Sequence, residues 1–388
     1  MYKRVKKLTC SLLYCFKESY EGVSMKRIIY PSYIYPGESS DLSSLSQDDL
    51  FLDIETTGLS KHYNHIYLIG LGKYIPSSNQ VHVWQYFAQT EDEEILILQE
   101  FQKELDQYKS IITFNGNRFD IPFIIERMKH YGLSTESLEK INKRDLYFDF
   151  KKAKQKFQLP SLKQKSIESF LGITRIDEMD GGSLIPVYKS YTKEFHSDSE
   201  KLLLLHNEDD VKGMFPLFQM YRYLNLTELK CNIRKIEIEG ENQILFWGDI
   251  NTSFPSEITY RSPQYLIRIN ENKIKGWITP EKKDLYFELD NPSDYVYLLA
   301  ENTILPKLLA STLPKERYRK AKKAECIQNI SGYFIETDYK KADAKNISIR
   351  FYYSKYNENK VYFKMDPETV TPDLINEFIN NYMKKILS

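Results

Sequence analysis

Acidic side chains stand at the ends of apolar segments in this 388-residue chain. FLDIE carries Asp53 and Glu55, TFNGNRFDIPF carries Asp120, and LLLLHNEDDV carries Asp210 four residues after His206. Asp53 and Glu55 are two residues apart, so on a strand their side chains leave the same face. Because acids are rarely buried without a partner, this pattern indicates carboxylates gathered for chemistry rather than a structural ion pair.

The helical periodicity of the third segment predicts which of its acids faces inward. At about 100° per residue, Asp210 lies at the edge of the apolar face, one turn after His206. Asp209 points roughly a third of a turn further out and Glu208 lies on the opposite side, so we expect both to be solvated. The apolar face is formed by Leu203, Val211, Met214, Leu217 and Phe218.

Convergence of the four acids Asp53, Glu55, Asp120 and Asp210 would require cations. At ~5 Å and an effective dielectric of ~20 each pair repels by about 3 kcal/mol, and six pairs approach ~20 kcal/mol. That exceeds the ~5–15 kcal/mol stability of a typical domain. Two Mg²⁺ or Mn²⁺ ions would balance the charge and could stabilise both oxygens of a phosphoryl displacement. His206 could then take a proton from the attacking water.

The elements that must position these acids follow an α/β order with a mixed sheet. Apolar runs predict the strands. The helices are predicted from acids at a helix start and from Pro122 in a first turn. Gly70 and Gly72 allow another element to approach the backbone closely. Asp120 alone would be read as a helix N-cap before Pro122. The predicted strands are 50–55, 65–74, 81–88 and 110–115; the predicted helices are 91–108, 121–131, 161–171 and one from the LLLLHNEDDV segment to about Tyr223.

Beyond about Leu229 the pattern predicts a separate, smaller α+β module rich in hairpins. Its alternating segments are KIEIEGENQILFW, YLIRINENKIKGWI and IRFYYSKYNENKVYFKM. A helix is expected over Thr303–Ala324, and another from the Thr371-Pro372-Asp373 start to Leu387. Within the first of these helices, PKERYRKAKKAE (314–325) has six Lys or Arg in twelve residues. A solvated helix face is the slightly favoured reading, and a track for phosphates is the other.

Composition limits the partners. Lys plus Arg and Asp plus Glu both total 54, so the net charge of zero gives no global attraction to polyanions. Four cysteines without a CxxC pair are typical of reduced thiols in a cytoplasmic protein. No apolar run reaches the ~18 residues of a membrane span. Residues 1–24 precede Met25 and are interpreted as an over-extended gene start or disordered leader, not as a signal peptide.

The three acidic motifs, DIETTGL, FNGNRFDIPF and HNEDDV, resemble those of the DEDD (DnaQ-like) exonuclease superfamily on the ribonuclease H-like fold. The resemblance is closest to the YprB-like ribonuclease H-like domain family and covers about residues 48–224, including YFDF, LKQKSIESFLGITR and the stretch 182–191. It implies a ribonuclease H-like mixed sheet flanked by helices, and Asp53, Glu55, Asp120 and Asp210 as ligands of two Mg²⁺ or Mn²⁺ ions.

One departure concerns His206. The superfamily's histidine branch has its histidine five residues before the last aspartate, whereas His206 stands four before, the spacing of the tyrosine branch. His206 is still expected to act as the general base; because of this departure, an indirect hydrogen-bonding role is the alternative. Asn115 and Arg118 could hold backbone or phosphate, although Arg118 fits a plain surface cation equally well. Asp149 is expected at the surface or behind the acids.

Three functions remain open on the sequence. The resemblance implies a metal-dependent 3′–5′ exonuclease acting on DNA or RNA. The alternatives are a nucleic-acid-binding protein with little turnover and an internally cutting ribonuclease H-like nuclease. The expected organisation is a leader over residues 1–24, the exonuclease domain over 25–228 and the α+β module over 229–388, with no membrane partner. Nothing in the sequence specifies an oligomer.

Overall fold

This computed structural model describes residues 14–20, 23–176, 179, 181–226, 229–289, 291–337, 339, 350–354 and 360–387. Contacts within the chain divide it into two compact units, Met1–Leu226 and Thr227–Ser388. Each unit has its own sheets, so each is described by itself.

The first unit contains an eight-stranded mixed sheet. Its strands are β1 (Tyr14–Tyr20), β2 (Val23–Ile29), β3 (Tyr33–Ile34), β4 (Asp49–Thr56), β5 (Ile66–Ile75), β6 (Gln80–Phe87), β7 (Ser110–Thr113) and β8 (Asn142–Asp145). The order is β1-β2-β6-β5-β4-β7-β8, and β3 pairs with β6. β4, β7 and β8 run parallel, whereas β4, β5 and β6 are antiparallel neighbours. The predicted mixed sheet and its four strands are confirmed.

Helices complete this unit: α1 (Glu94–Leu105), α2 (Asp120–His130), α3 (Glu136–Lys140), α4 (Leu146–Asp149), α5 (Ala153–Lys156), α6 (Gln164–Leu171), α7 (Gly181–Tyr191), α8 (Ser197–Met214) and α9 (Gln219–Leu224). The helix predicted to reach Tyr223 is wrong in its extent. It ends at Met214 because Pro216 lacks an N–H, and a short 3-10 turn, Pro216–Phe218, separates it from α9.

The two faces of the sheet carry different partners. On β4, Leu52 and Ile54 point into a core shared with α1, which supplies Ile97 and Phe101. Because side chains alternate along a strand, Asp53 and Glu55 point to the other face, against which α8 packs. The close approach predicted at Gly70 and Gly72 occurs: a Cβ at Gly70 would lie 2.0 Å from the Asn207 side chain, and one at Gly72 2.9 Å from Val211.

The leader predicted over residues 1–24 lies partly outside the described residues. Within it, Tyr14–Tyr20 forms β1, which pairs antiparallel with β2. The expectation that residues 14–20 carry no structure is therefore wrong, because they add an edge strand to the sheet. The predicted start of the protein at Met25 is not tested by this pairing.

The second unit is mainly β. Its strands are β9 (Cys231–Glu239), β10 (Gln243–Ser262), β11 (Tyr265–Ile278), β12 (Glu281–Glu288), β13 (Tyr295–Leu298), β14 (Thr303–Pro306), β15 (Tyr318–Lys320), β16 (Ile327–Thr337), β17 (Tyr352–Tyr353) and β18 (Val361–Lys364). They form a β11-β10-β9 sheet, a closed β12-β16-β18-β17 barrel and a β14-β13-β15 sheet. Its helices are α10 (Lys307–Ala310) and α11 (Pro372–Leu387).

Two of the predicted hairpins are confirmed. β9 and β10 turn at Gly240, whose φ is +64°, and β17 pairs antiparallel with β18. The hairpin predicted within residues 265–278 is wrong, because β11 continues through Asn270-Glu271-Asn272 as one strand. Register shifts in its pairing with β10 absorb the extra residues, and Glu271 takes a φ of +50°.

The helix predicted over Thr303–Ala324 is wrong as well. Pro306 and Pro314 interrupt helical hydrogen bonding, and the segment instead contains β14, the single turn α10 and β15. The basic residues 314–325 therefore do not lie on a helix. The last predicted helix is confirmed as α11, where the Leu374 N–H donates to the Thr371 hydroxyl at 3.3 Å. Among the helices of the described residues, none is long and apolar enough to cross a membrane.

Candidate active site

Three predicted site residues meet where β4 passes under α8. His206 Nε2 lies 3.6 Å from Glu55 Oε1 and 3.3 Å from Asp210 Oδ2. Ligand atoms of Glu55, His206 and Asp210 all lie within 4.8 Å of one another. His206 and Glu55 are buried, and Asp210 is partly exposed. Residues 155 positions apart thus form one polar group, because the part of α8 that carries His206 and Asp210 lies along the polar face of β4.

Asp120 joins the group from the start of α2. Its side chain is buried, and Oδ1 accepts a hydrogen bond of 3.1 Å from the N–H of Ile54, the residue between Asp53 and Glu55. Burial raises the pKa of Asp120 to about 7; hydrogen bonds from backbone N–H groups oppose the rise, and the charges of Asp145 and Asp210 add to it. The Asp120 carboxylate faces β4, so a role limited to capping the N-terminus of α2 does not describe it.

Asp53 is held by a buried chain of amide side chains. Asn207 Nδ2 donates to Asp53 Oδ2 at 2.7 Å, Gln85 Nε2 donates to Asn207 Oδ1 at 2.8 Å, and the Tyr30 hydroxyl donates to Gln85 Oε1 at 2.7 Å. Asn207 fits against β5 because Gly70 has no side chain. These contacts fix the orientation of Asp53 from behind.

The electrostatics show that the four acids act on one another. Desolvation raises the pKa of Asp53 well above its ordinary value; the charges of Asp210, Asp120 and Glu55 raise it further, and the Asn207 hydrogen bond opposes the rise. Carboxylates that disfavour each other's ionisation are suited to bind cations, and an oxygen-rich donor set with one imidazole fits Mg²⁺ or Mn²⁺. The donor set thus fits the ions that the sequence predicts.

The other predicted site residues, Asn115 and Arg118, have partners other than the four acids. Asn115 has a φ of +66°, and its N–H donates to Asp145 at 2.7 Å. Arg118 is exposed, with its guanidinium over the rings of Tyr147 and Phe148 at 5.6 and 5.0 Å. In the described part of the chain, no hydrogen bond or ion pair joins either side chain to the four acids.

Two acids of the β8–α4 region have structural partners. Asp149 pairs with Arg144 at 3.1 Å and accepts from the Tyr221 hydroxyl, which agrees with the surface position expected for it. Asp145, which sequence reasoning missed, is buried and accepts from the N–H groups of Asn115 and Asn117 at 2.7 and 3.0 Å. Asp145 therefore holds the loop that precedes Asp120.

Further residues of the site were also missed. Arg175 contacts Asp210 at 2.5 Å and pairs with the buried Glu168. Gly181, the first residue of α7, is so near the acids that a Cβ there would lie 3.6 Å from Glu55 Oε2 and 3.7 Å from His206 Nε2. The sequence signal for Arg175 was that it ends the stretch 162–175 of the resemblance, whereas Gly181 lies one residue before the stretch 182–191 and had no such signal.

Comparison with known proteins covers the segment that carries this site. Residues 50–222 match the family model RNase_H_2, described as RNase_H superfamily. Together with the mixed sheet, the match shows a ribonuclease H-like fold for this segment. The chain is also 28% identical over 208 residues to the protein YprB of Bacillus subtilis (strain 168). That alignment covers 53% of this chain and 48% of YprB, so the chain spans about half the length of this curated relative.

Solved structures give more distant likenesses. The family B DNA polymerase from Pyrobaculum calidifontis has a TM-score of 0.36 and 13% identity, over 67% of this chain and 39% of the polymerase. Exonuclease I of E. coli in complex with a dA16 oligonucleotide has a TM-score of 0.27 and 12% identity, over 57% of this chain and 54% of the exonuclease. With TM-scores this low, we infer no activity from either likeness.

Proposed function

We propose that the chain is a metal-dependent 3′–5′ exonuclease that hydrolyses phosphodiester bonds of DNA or RNA in the cytoplasm. The observation that carries the proposal is the convergence of Glu55, His206 and Asp210 beside Asp53, whose ionisation the neighbouring acids oppose. A binding surface for nucleic acid alone would favour cations at these positions rather than four acids.

Asp53, Glu55, Asp120 and Asp210 would hold two Mg²⁺ or Mn²⁺ ions. Such ions, when bound, stabilise the negative charge that develops on the attacking and leaving oxygens of a phosphodiester. The chain's own contribution is orientation. The Ile54 N–H holds Asp120 and the Asn207 amide holds Asp53, so both carboxylates are fixed before substrate arrives.

His206 is the proposed proton acceptor. Its Nε2 lies between Glu55 and Asp210, so a water beside these carboxylates would be within reach of the imidazole. Transfer of the water proton to Nε2 would accompany attack on phosphorus and release of a nucleoside monophosphate. The two neighbouring carboxylates would stabilise the imidazolium that results.

End-directed cleavage separates this proposal from its alternatives. With Mg²⁺ or Mn²⁺, we expect stepwise shortening of a 5′-labelled single strand, release of nucleoside monophosphates and no nicking of a closed circle. Asp53→Asn should remove the products while leaving the circular dichroism spectrum unchanged, and Asp149→Asn serves as a control outside the acid group. Linearisation of the circle would instead establish internal cutting, and binding without products would establish the non-catalytic alternative.

A further inference from the structure

Arg175 is anchored beside the acids by a buried carboxylate. The residue follows α6, and its side chain is 10% exposed. Its Nε and Nη2 donate to the two carboxylate oxygens of Glu168, the latter at 2.9 Å. Gln164 Nε2 donates both to Glu168 Oε1 and to the backbone oxygen of Asp210, each at 2.9 Å. A Cβ at Gly213 would lie 2.2 Å from Glu168, so α8 leaves space for this anchor.

The opposite edge of the guanidinium is only partly used. A guanidinium has two planar edges that can each donate a pair of hydrogen bonds. Glu168 occupies the edge formed by Nε and Nη2. On the edge formed by Nη1 and Nη2, Nη2 lies 2.5 Å from Asp210 Oδ1, whereas Nη1 is buried without a hydrogen-bond partner among the described residues. A buried donor without a partner costs about 1–3 kcal/mol, and more when it is charged.

We propose that the Nη1–Nη2 edge of Arg175 binds a non-bridging oxygen of the phosphodiester that is cleaved. This inference rests on the proposed function. Asp210 occupies part of this edge, and its carboxylate would turn to a bound cation when the site is loaded. The edge would then present two N–H groups beside the cleaved linkage, a geometry that matches phosphate and that lysine cannot reproduce.

The test combines a protein change with a substrate change. The probe is a short fluorescent single strand whose 3′-terminal linkage is either a phosphodiester or an uncharged methylphosphonate. Dissociation constants are measured by anisotropy in Ca²⁺, under conditions that give no hydrolysis. The proteins are the native chain, Arg175→Gln, Arg175→Lys and the control Arg222→Gln. Arg222 is a matched control because it too pairs with two acids, Glu38 and Asp41.

A direct contact predicts coupling between the two changes. Replacing the phosphodiester by the methylphosphonate should weaken binding to the native chain and to Arg222→Gln. The same replacement should weaken binding to Arg175→Gln by a factor roughly tenfold smaller, as expected for the loss of one charge-assisted hydrogen bond. Arg175→Lys should fold like the native chain. On a logarithmic scale, its sensitivity to the methylphosphonate should exceed that of Arg175→Gln by less than half of the difference between Arg175→Gln and the native chain. If Arg175→Gln fails to fold, Arg175→Lys is compared with the native chain instead. If the methylphosphonate then weakens binding to both proteins by the same factor, Arg175 does not contact the phosphate.

The two possible failures are distinguishable. If Arg175→Gln weakens binding of both strands equally, Arg175 only positions Glu168 and Asp210, and the phosphate contact is excluded while the nuclease proposal stands. If the native chain neither binds nor shortens the phosphodiester strand, the proposed function fails and this inference falls with it.

Discussion

The Arg175 guanidinium and the Asp210 carboxylate form an ion pair across the gap between the end of α6 and α8, with Nη2 2.5 Å from Oδ1. The second oxygen of Asp210 lies 3.3 Å from His206 Nε2. Asp210 is therefore held between two nitrogen groups, whereas its neighbour Asp209 accepts a hydrogen bond of 2.9 Å from the Ile176 N–H, away from the acids. Adjacent aspartates thus have different environments.

This difference predicts how the two aspartates respond to metal. Mg²⁺ or Mn²⁺ should raise the Tm of the native chain and of Asp209→Asn, because ions that bind only the folded acid group stabilise it. Asp210→Asn should lose most of this rise, since its amide cannot supply the missing charge. Thermal unfolding with and without chelator measures the effect. Equal rises in all three proteins would place the ions elsewhere.

The raised carboxyl pKa values predict an unusual pH dependence for the metal-free chain. Asp120 has a pKa of about 7 when folded, against an ordinary value of 3.8, so the folded state binds more protons between these values. Stability is then greatest at low pH within this window and is lost as pH rises through about 7. The Tm measured in chelator should therefore fall between about pH 5 and about pH 8.

Asp120→Asn is the control for this pH dependence. The amide cannot ionise, so the fall in Tm over the same pH range should become shallower. Saturating Mg²⁺ or Mn²⁺ should also flatten the curve of the native chain, because the cations offset the repulsion among the carboxylates. A metal-free chain whose Tm rises steadily over this range would show that the acids do not oppose each other's ionisation.

How far sequence reasoning reaches depends on the range of the interaction. Strand alternation placed Asp53 and Glu55 on one face, and helical periodicity placed Asp210 beside His206; both follow from local geometry. The expectation that Glu208 is solvated is wrong: its side chain is 14% exposed and pairs with Lys212, whose ammonium lies over the rings of Tyr30 and Tyr33. Arg175 and Gln85 could not be found in this way, because their partners lie 35 and 122 residues away and are selected by packing. Pro306 and Pro314 did carry a local signal against the predicted helix, because proline lacks the N–H that helical hydrogen bonding requires.

His206 should contribute to turnover more than to metal binding. A general base typically contributes ~10²–10⁴ in rate, so His206→Gln should lose about that factor in kcat. The metal-induced rise in Tm should persist, because the four carboxylates remain. Nuclease kinetics and thermal unfolding on the same preparation separate the two effects. A loss of less than about tenfold would reduce His206 to a hydrogen-bonding partner of Glu55 and Asp210.

The contact between Gly70 and Asn207 predicts a non-additive pair of substitutions. A Cβ at Gly70 would lie 2.0 Å from Asn207 Oδ1, so Gly70→Ala should destabilise the native chain by about 1–3 kcal/mol. In an Asn207→Ala background, where the clashing amide is absent, the same change should cost much less. Urea unfolding of the four proteins gives the coupling. The same cost in both backgrounds would mean that β5 and α8 separate to accept the methyl group.

The exposed cations of residues 314–325 predict a salt-dependent contact with the nucleic acid. Lys320 and Lys322 are exposed and form no salt bridge among the described residues, although the hydrogen bond from Arg319 and the charges of Arg319 and Lys322 lower the pKa of the neighbouring Glu325. Each phosphate contacted on a single strand contributes about −0.7 to the slope of log K against log salt concentration. Replacing both lysines by glutamine should therefore reduce the slope by roughly 1.4 if each contacts one phosphate.

Binding of the same single strand in Ca²⁺, repeated over a range of salt concentrations, measures these slopes. The matched control replaces Lys275 and Lys282, two other exposed lysines of the second unit, by glutamine. It removes the same charge from the chain, so its slope should equal that of the native protein if the contact is local. Equal reductions in both variants would mean that the strand responds to the overall charge of the protein, and that residues 314–325 form only a solvated surface.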